Sequence, residues 1–110
     1  MHSLIERHRE AIRQLSRSSG ISRLEVFGSA ATDEFDPERS DVDFIVAYPP
    51  DYDFGPWLSR HFELREQLEA LLGTDVDLVM PSALKNRWFR READRTRTVI
   101  YDASEDAEVA

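Results

Sequence analysis

A chain of 110 residues, 41% hydrophobic and 10% aromatic, carries enough apolar material for one packed domain, which excludes a disordered polypeptide. It has no cysteine, so disulfides, a thiolate nucleophile and cysteine-ligated zinc or iron–sulfur centres are excluded as well. The formal charge of −8 is unevenly spread: thirteen acids stand against three arginines from Val26 to Ala83, whereas Leu84 to Tyr101 holds six bases against two acids. An acidic middle repels a phosphate backbone, so direct nucleic-acid binding is not expected, while divalent cations or a basic protein partner suit it. No apolar run approaches the roughly 20 residues that cross a bilayer. The charged start MHSLIERHRE is unlike a signal peptide, and the expectation is a soluble, cytoplasmic chain with no membrane partner.

From Ser3 to about Ser18, the residues Leu4, Ile5, His8, Ala11, Ile12 and Leu15 recur at helical spacing, with Ser3 and Glu6 as a capping box. His8 on this stripe reads as a packed core or interface histidine. Gly20 stops the helix, and Arg23 to Phe27 alternates polar and apolar as a half-buried strand does, delivering the chain to Gly28-Ser29. Ala30 to Ser40 has turn chemistry and reads as a loop with one helical turn at its start. Asp41 to Ala47 is a strand with Val42, Phe44 and Val46 on one face and Asp41, Asp43 and Ile45 on the other.

A Pro/Gly-punctuated loop follows. Its aromatics, Tyr48, Tyr52, Phe54 and Trp57, divide between core and an exposed cluster able to stack a base or dock a partner. Trp57 to Leu72 is a second helix with Leu58, Phe62, Leu64, Leu68, Leu71 and Leu72 as its stripe, closed by Gly73. Asp75 to Met80 is a strand in which Asp75 serves the preceding turn. Ser82 caps a short helix through Leu84, Arg87, Trp88 and Arg91, and Arg97 to Tyr101 is a final edge strand. The arginines Arg87, Arg90, Arg91, Arg95 and Arg97 form a solvated face with Trp88 and Phe89 turned to the core, or contact phosphates or a partner. The order predicts an α+β (α/β) domain over residues 1–101, with about four strands in a mixed sheet and helices packed on it, then a loose acidic tail at 102–110.

Strands are depleted in Asp, yet two of these strands carry Asp-x-Asp. Residues i and i+2 share a strand face, so Asp41 and Asp43 present two carboxylates side by side, whose repulsion a divalent cation relieves. Asp77 from a neighbouring strand would complete a cage for two Mg²⁺ ions. Gly28-Ser29 at a strand end suits an anion, because glycine lets backbone N–H groups approach a phosphate and the serine hydroxyl donates to it.

Gly28-Ser29, then Ser40-Asp41-Val42-Asp43-Phe44-Ile45-Val46, then Val76-Asp77-Leu78-Val79 together resemble the signature of the nucleotidyltransferase (polymerase-beta-like) superfamily. The short length and flanking helices resemble its minimal branch, the MNT antitoxins of HEPN/MNT toxin–antitoxin pairs. The resemblance spans Leu4 to Tyr101 and implies the nucleotidyltransferase fold. It further implies that Gly28, Ser29 and Ser40 bind the nucleotide, that Asp41 and Asp43 ligate Mg²⁺ (two ions, with Mn²⁺ as a substitute), and that Asp77 is the third catalytic carboxylate, helping to deprotonate the attacking hydroxyl. Where the family often continues with Arg-Gly, this chain has Thr32 and Asp33, which removes a cation and a glycine near the phosphates.

The implied reaction moves AMP from ATP to a tyrosine hydroxyl of the cognate HEPN ribonuclease toxin, with which a hetero-oligomer is expected. The expectation is that the acceptor is brought by another molecule rather than gripped by a further domain of this chain. The alternatives are an antitoxin that neutralises its toxin by contact alone, and a transferase acting on a small molecule.

Overall fold

The computed structural model describes residues 1–105, and the end of the acidic tail, 106–110, lies outside the described residues. The first helix, α1 (Ser3–Ser19), buries Leu4, Ile5, Ile12 and Ser16. Its cap differs from the expected Ser3/Glu6 box: His2 precedes the helix in extended conformation, and its Nδ1 accepts the Leu4 N–H at 3.0 Å. Gly20, at φ 72°, closes the other end with its N–H on the Arg17 carbonyl. His8 is half-buried, and its Nδ1–H donates to the Leu4 carbonyl at 2.8 Å.

Four strands follow the expected order. They are β1 (Arg23–Phe27), β2 (Val42–Ala47), β3 (Val76–Val79) and β4 (Thr98–Asp102), arranged β3-β2-β1-β4 in one sheet. β1 runs antiparallel to β2 and β4, while β2 and β3 are parallel, so the sheet is mixed and β4 lies on an edge. β4 reaches one residue past the expected boundary, with Asp102 paired to Arg23.

Period-two alternation gives the sheet two different faces. Leu24, Val26, Val42, Phe44, Val46, Val76 and Leu78 join Ile5 and Ile12 of α1 and Leu64 and Leu68 of α2 (Ser59–Leu72) in the main core. On the opposite face Phe27, Ile45 and Ala93 form a smaller cluster with Val79, Leu84 and Phe89. That face is covered only in part, by a 3₁₀ turn (Pro81–Lys85) and α3 (Arg87–Asp94), which leaves room for the site at the strand ends.

Several expectations fail for identifiable reasons. The second helix starts at Ser59, two residues later than expected, because Trp57 and Leu58 turn left-handed, at φ 55° and 57°. Leu64, Leu68 and Leu72 of the expected stripe are buried and His61 joins them, while Leu58 and Phe62 are exposed and Trp57 is 94% exposed. The loop aromatics Tyr48, Tyr52 and Phe54 instead pack on one another, with ring centroids 4.6 to 4.9 Å apart.

Ser82 sits inside the 3₁₀ turn, and α3 is capped by Asn86, whose Oδ1 accepts from the N–H groups of Trp88 and Phe89. Phe89 meets Phe27 edge to face at 5.4 Å, but Trp88 is exposed. Glu25 is not on a solvated strand face. It is 4% exposed, and Arg97 holds it with two hydrogen bonds of 2.7 and 3.0 Å. Among the described residues no helix is long and apolar enough to cross a membrane.

Candidate active site

The expected site residues come from three strands and one turn. β1 ends at Phe27, which lies opposite Asp43 in the antiparallel register, so Gly28 emerges beside the Asp43 side chain. Asp43 in turn lies in register with Asp77 on the parallel strand β3. Neighbouring strands are separated by about 4.8 Å and in-register residues share a face, so the two carboxylates stand side by side. Asp41 precedes β2 by one residue and follows the same alternation, on the face away from α1 and α2.

This placement is electrostatically costly. Asp43 is half-buried, and burial first, then the charges of Asp77 and Asp41, push its carboxyl from 3.8 up to about 6. Asp41 and Asp77 are solvent-exposed. Among the described residues no group of three His, Cys, Asp or Glu side chains is drawn together to hold a metal ion as it stands. Mg²⁺ does not require such a cage, since it is usually held by one or two carboxylates, substrate phosphates and waters. The donor set is all hard oxygen, and the unrelieved repulsion at Asp43 is what a divalent cation neutralises; the residues fit the group.

Gly28 has a definite physical reason to be glycine. Its φ is +73°, and a Cβ there would stand 2.8 Å from Asp43 Oδ2, so any side chain would displace the carboxylate. Its N–H, however, is not free for a phosphate, because it donates to Thr96 Oγ1 at 2.7 Å. Ser29 is next along the 3₁₀ turn Gly28–Ala31, and the N–H groups at the start of such a turn have no partner within it. The Ser29 carbonyl accepts twice from Thr32, from its N–H at 3.0 Å and from its hydroxyl at 2.8 Å. Thr32, standing where the resemblance has Arg, thus closes the turn and supplies no cation.

Ser40 closes the preceding loop. Its N–H donates to the Asp36 carbonyl at 2.8 Å and its hydroxyl accepts from the Asp36 N–H at 3.4 Å. Of the basic run, Arg97 is committed to Glu25 and Asp94. Thr96 and Glu25 are participants that sequence reasoning missed. Neither lies in a motif, since their contacts reach 68 and 72 residues along the chain.

The profile of the nucleotidyltransferase domain matches residues 5–101. The chain belongs to the nucleotidyltransferase domain family. It is 41% identical over 86 residues to a protein adenylyltransferase MntA of Thermococcus cleftensis, covering 78% of this chain and 79% of that protein. A Methanocaldococcus jannaschii relative described as a protein adenylyltransferase is 31% identical over 93 residues, covering 83% and 85%. Among solved structures, a minimal nucleotidyltransferase superposes with a TM-score of 0.69 at 33% identity, covering 89% of this chain and 95% of that one. An MNT antitoxin in complex with tri-AMPylated HEPN toxin from Shewanella oneidensis shares the fold, at TM-score 0.61 and 20% identity over 94% of this chain and 77% of that one. The enzyme class follows from the family: this chain is a nucleotidyltransferase, and its α+β fold with a four-stranded mixed sheet is that of the minimal members.

Proposed function

We propose that this nucleotidyltransferase is the antitoxin of a HEPN/MNT pair and transfers AMP from ATP to a tyrosine hydroxyl of its HEPN toxin. The observation that carries the reading is the in-register pair Asp43 and Asp77 against the Gly28 turn, where Asp43 pays for proximity with a carboxyl raised to about 6. Similarity to proteins named as protein adenylyltransferases supports the same substrate class.

In this reading the attacking hydroxyl oxygen bonds to the α-phosphorus while the bond to the β-phosphate oxygen breaks and pyrophosphate leaves. Ser29 holds the phosphates through its N–H and hydroxyl, with Ser40 as a further nucleotide contact. Asp41, Asp43 and Asp77 would hold Mg²⁺, which when bound neutralises charge on the triphosphate and the leaving pyrophosphate. Asp77, solvent-exposed, takes up the proton of the attacking hydroxyl. No side-chain nucleophile is needed, in keeping with a chain that has no cysteine.

The test is intact mass spectrometry of the HEPN protein encoded beside this chain, after incubation with the purified chain, ATP and Mg²⁺. The expected result is a mass gain in steps of AMP that the Asp41→Asn/Asp43→Asn double variant does not produce. A stable complex without any mass gain would leave an antitoxin acting by contact, and AMP transfer to a metabolite without the HEPN protein would make the acceptor a small molecule.

A further inference from the structure

Thr96 lies in the two-residue span between the end of α3 and Arg97, far along the chain from every motif residue, yet its hydroxyl oxygen is the acceptor for the Gly28 N–H at 2.7 Å. A lone threonine contact on a mobile linker would mean little, but this one is held from several sides. The Thr96 N–H donates to the Ala93 carbonyl at the end of α3, and the Thr96 carbonyl accepts the Thr98 hydroxyl at 2.9 Å. The next residue, Arg97, is fastened to buried Glu25 on β1 and to Asp94 on α3 at 2.9 Å. Glu25 lies two residues before Phe27, the last residue ahead of the glycine. The ion pair and the Thr96–Gly28 bond therefore tie the same short stretch of chain to the same strand end.

The far side of the turn is fastened too, by the two bonds from Thr32 to the Ser29 carbonyl. Ser29 thus stands between two threonine anchors, with Gly28 locked at a positive φ and in near contact with Asp43. A change in the Gly28 backbone would shift Ser29 and press on the Asp43 carboxylate together. We propose that Thr96 is a positioning residue for nucleotide transfer: by accepting the Gly28 N–H it holds the Gly28–Ser29 turn in register with Asp43. It also takes the Gly28 N–H out of the phosphate seat, so that Ser29 alone of the pair binds phosphate. This inference rests on the reading of Gly28–Ser29 as the nucleotide seat.

The test compares Thr96→Val, which keeps the shape and removes the acceptor, with Thr96→Ser, which keeps the hydroxyl. AMP transfer to the HEPN protein is followed as kcat and as KM for ATP, with Asp43→Asn alongside. Thr96→Val is expected to fold, to lower kcat/KM for ATP by about tenfold, the worth of one hydrogen bond, mainly through KM, and to be rescued to within about twofold by Thr96→Ser. Parent-like kinetics in Thr96→Val, or equal damage in Thr96→Ser, overturns the proposal. Amide exchange of Gly28 gives a readout that needs neither activity nor a variant. In the parent chain the Gly28 amide is expected to be protected; exchange at the free-peptide rate overturns the assignment. If the parent transfers no AMP while that amide is protected and Thr96→Val exposes it, the reading of function fails and the role of Thr96 in the turn stands.

Discussion

At pH 7 the Asp43 carboxyl is ionised in a place that disfavours its charge, between the backbone of the Gly28 turn and the carboxylates of Asp77 and Asp41. Its folded value of about 6 lies above the ordinary 3.8, so between these values the folded chain holds the extra proton and stability falls as pH rises through the window. Discounted for the solvent that reaches this half-buried group, the penalty at pH 7 is about 1–2 kcal/mol. Asp43→Asn should therefore abolish AMP transfer yet raise the melting temperature of the metal-free protein by several degrees at pH 7, with no gain at pH 4; differential scanning calorimetry at the two pH values decides it.

His61 has the opposite sign. A carbonyl can only accept, so its Nε2–H donates to Leu78 at 3.2 Å and its Nδ1 accepts from the Tyr48 hydroxyl at 2.7 Å, which fixes a neutral tautomer. Burial first, and the Arg65 charge in addition, hold its pKa below the usual 6.5 despite the bond to Leu78. The unfolded chain thus binds the proton more readily, and stability drops as pH falls below about 6.5. His61→Leu should flatten that part of the Tm–pH curve while lowering stability at pH 7 by about 1–3 kcal/mol, because two polar partners are stranded. An unchanged slope between pH 5 and 7 would refute the assignment.

Among the elements, β1 shows how a strand that looks half-exposed becomes buried. The sequence pattern assigns Glu25 to a solvated face, and on amphipathic grounds that is sound. Arg97, arriving on the approach to β4, covers it with a bidentate pair, and Arg23 adds a contact at 3.2 Å. Removing one partner of a buried pair strands the other, so Glu25→Ala should cost about 3 kcal/mol or more, whereas replacing Glu25 and Arg97 together by leucine should cost much less. Urea unfolding of the two variants makes the comparison; equal losses would mean that the pair is not what holds β4 and the Thr96 span to β1. Ahead of α2 the positive φ of Trp57 and Leu58 shortened the helix by two residues, an outcome that periodicity cannot foresee because both residues are ordinary helix members in pattern, while Leu64, Leu68 and Leu72 kept the expected stripe.

For the whole molecule, the acidic middle supplies β2 and β3, the basic segment Leu84–Tyr101 supplies α3 and most of β4, and Asp41, Asp43 and Asp77 come together on adjacent strands. A ligand that binds only the folded state stabilises it by mass action. Mg²⁺ with ATP at about 100 times its dissociation constant should add about 3 kcal/mol, or some ten degrees or more in melting temperature for a domain of this size. Asp41→Asn/Asp43→Asn should lose that gain. No shift in the parent at millimolar metal and nucleotide would argue against a working site.

The sequence by itself determined whatever depends on a few neighbouring residues. The four strands and the three main helices lie close to their expected places, and the alternation that put Asp41 and Asp43 on one face needed only the two-residue strand repeat. Asp77 was legible as a candidate for the same reason, but only the parallel β2–β3 pairing set it in register beside Asp43. Tertiary structure alone decided that the Gly28 N–H meets Thr96, that Glu25 is buried against Arg97, and that His61 bridges Tyr48 and the Leu78 carbonyl. Local dihedral preferences act over a turn or two of chain, whereas those contacts join segments whose approach depends on how the whole sheet is ordered.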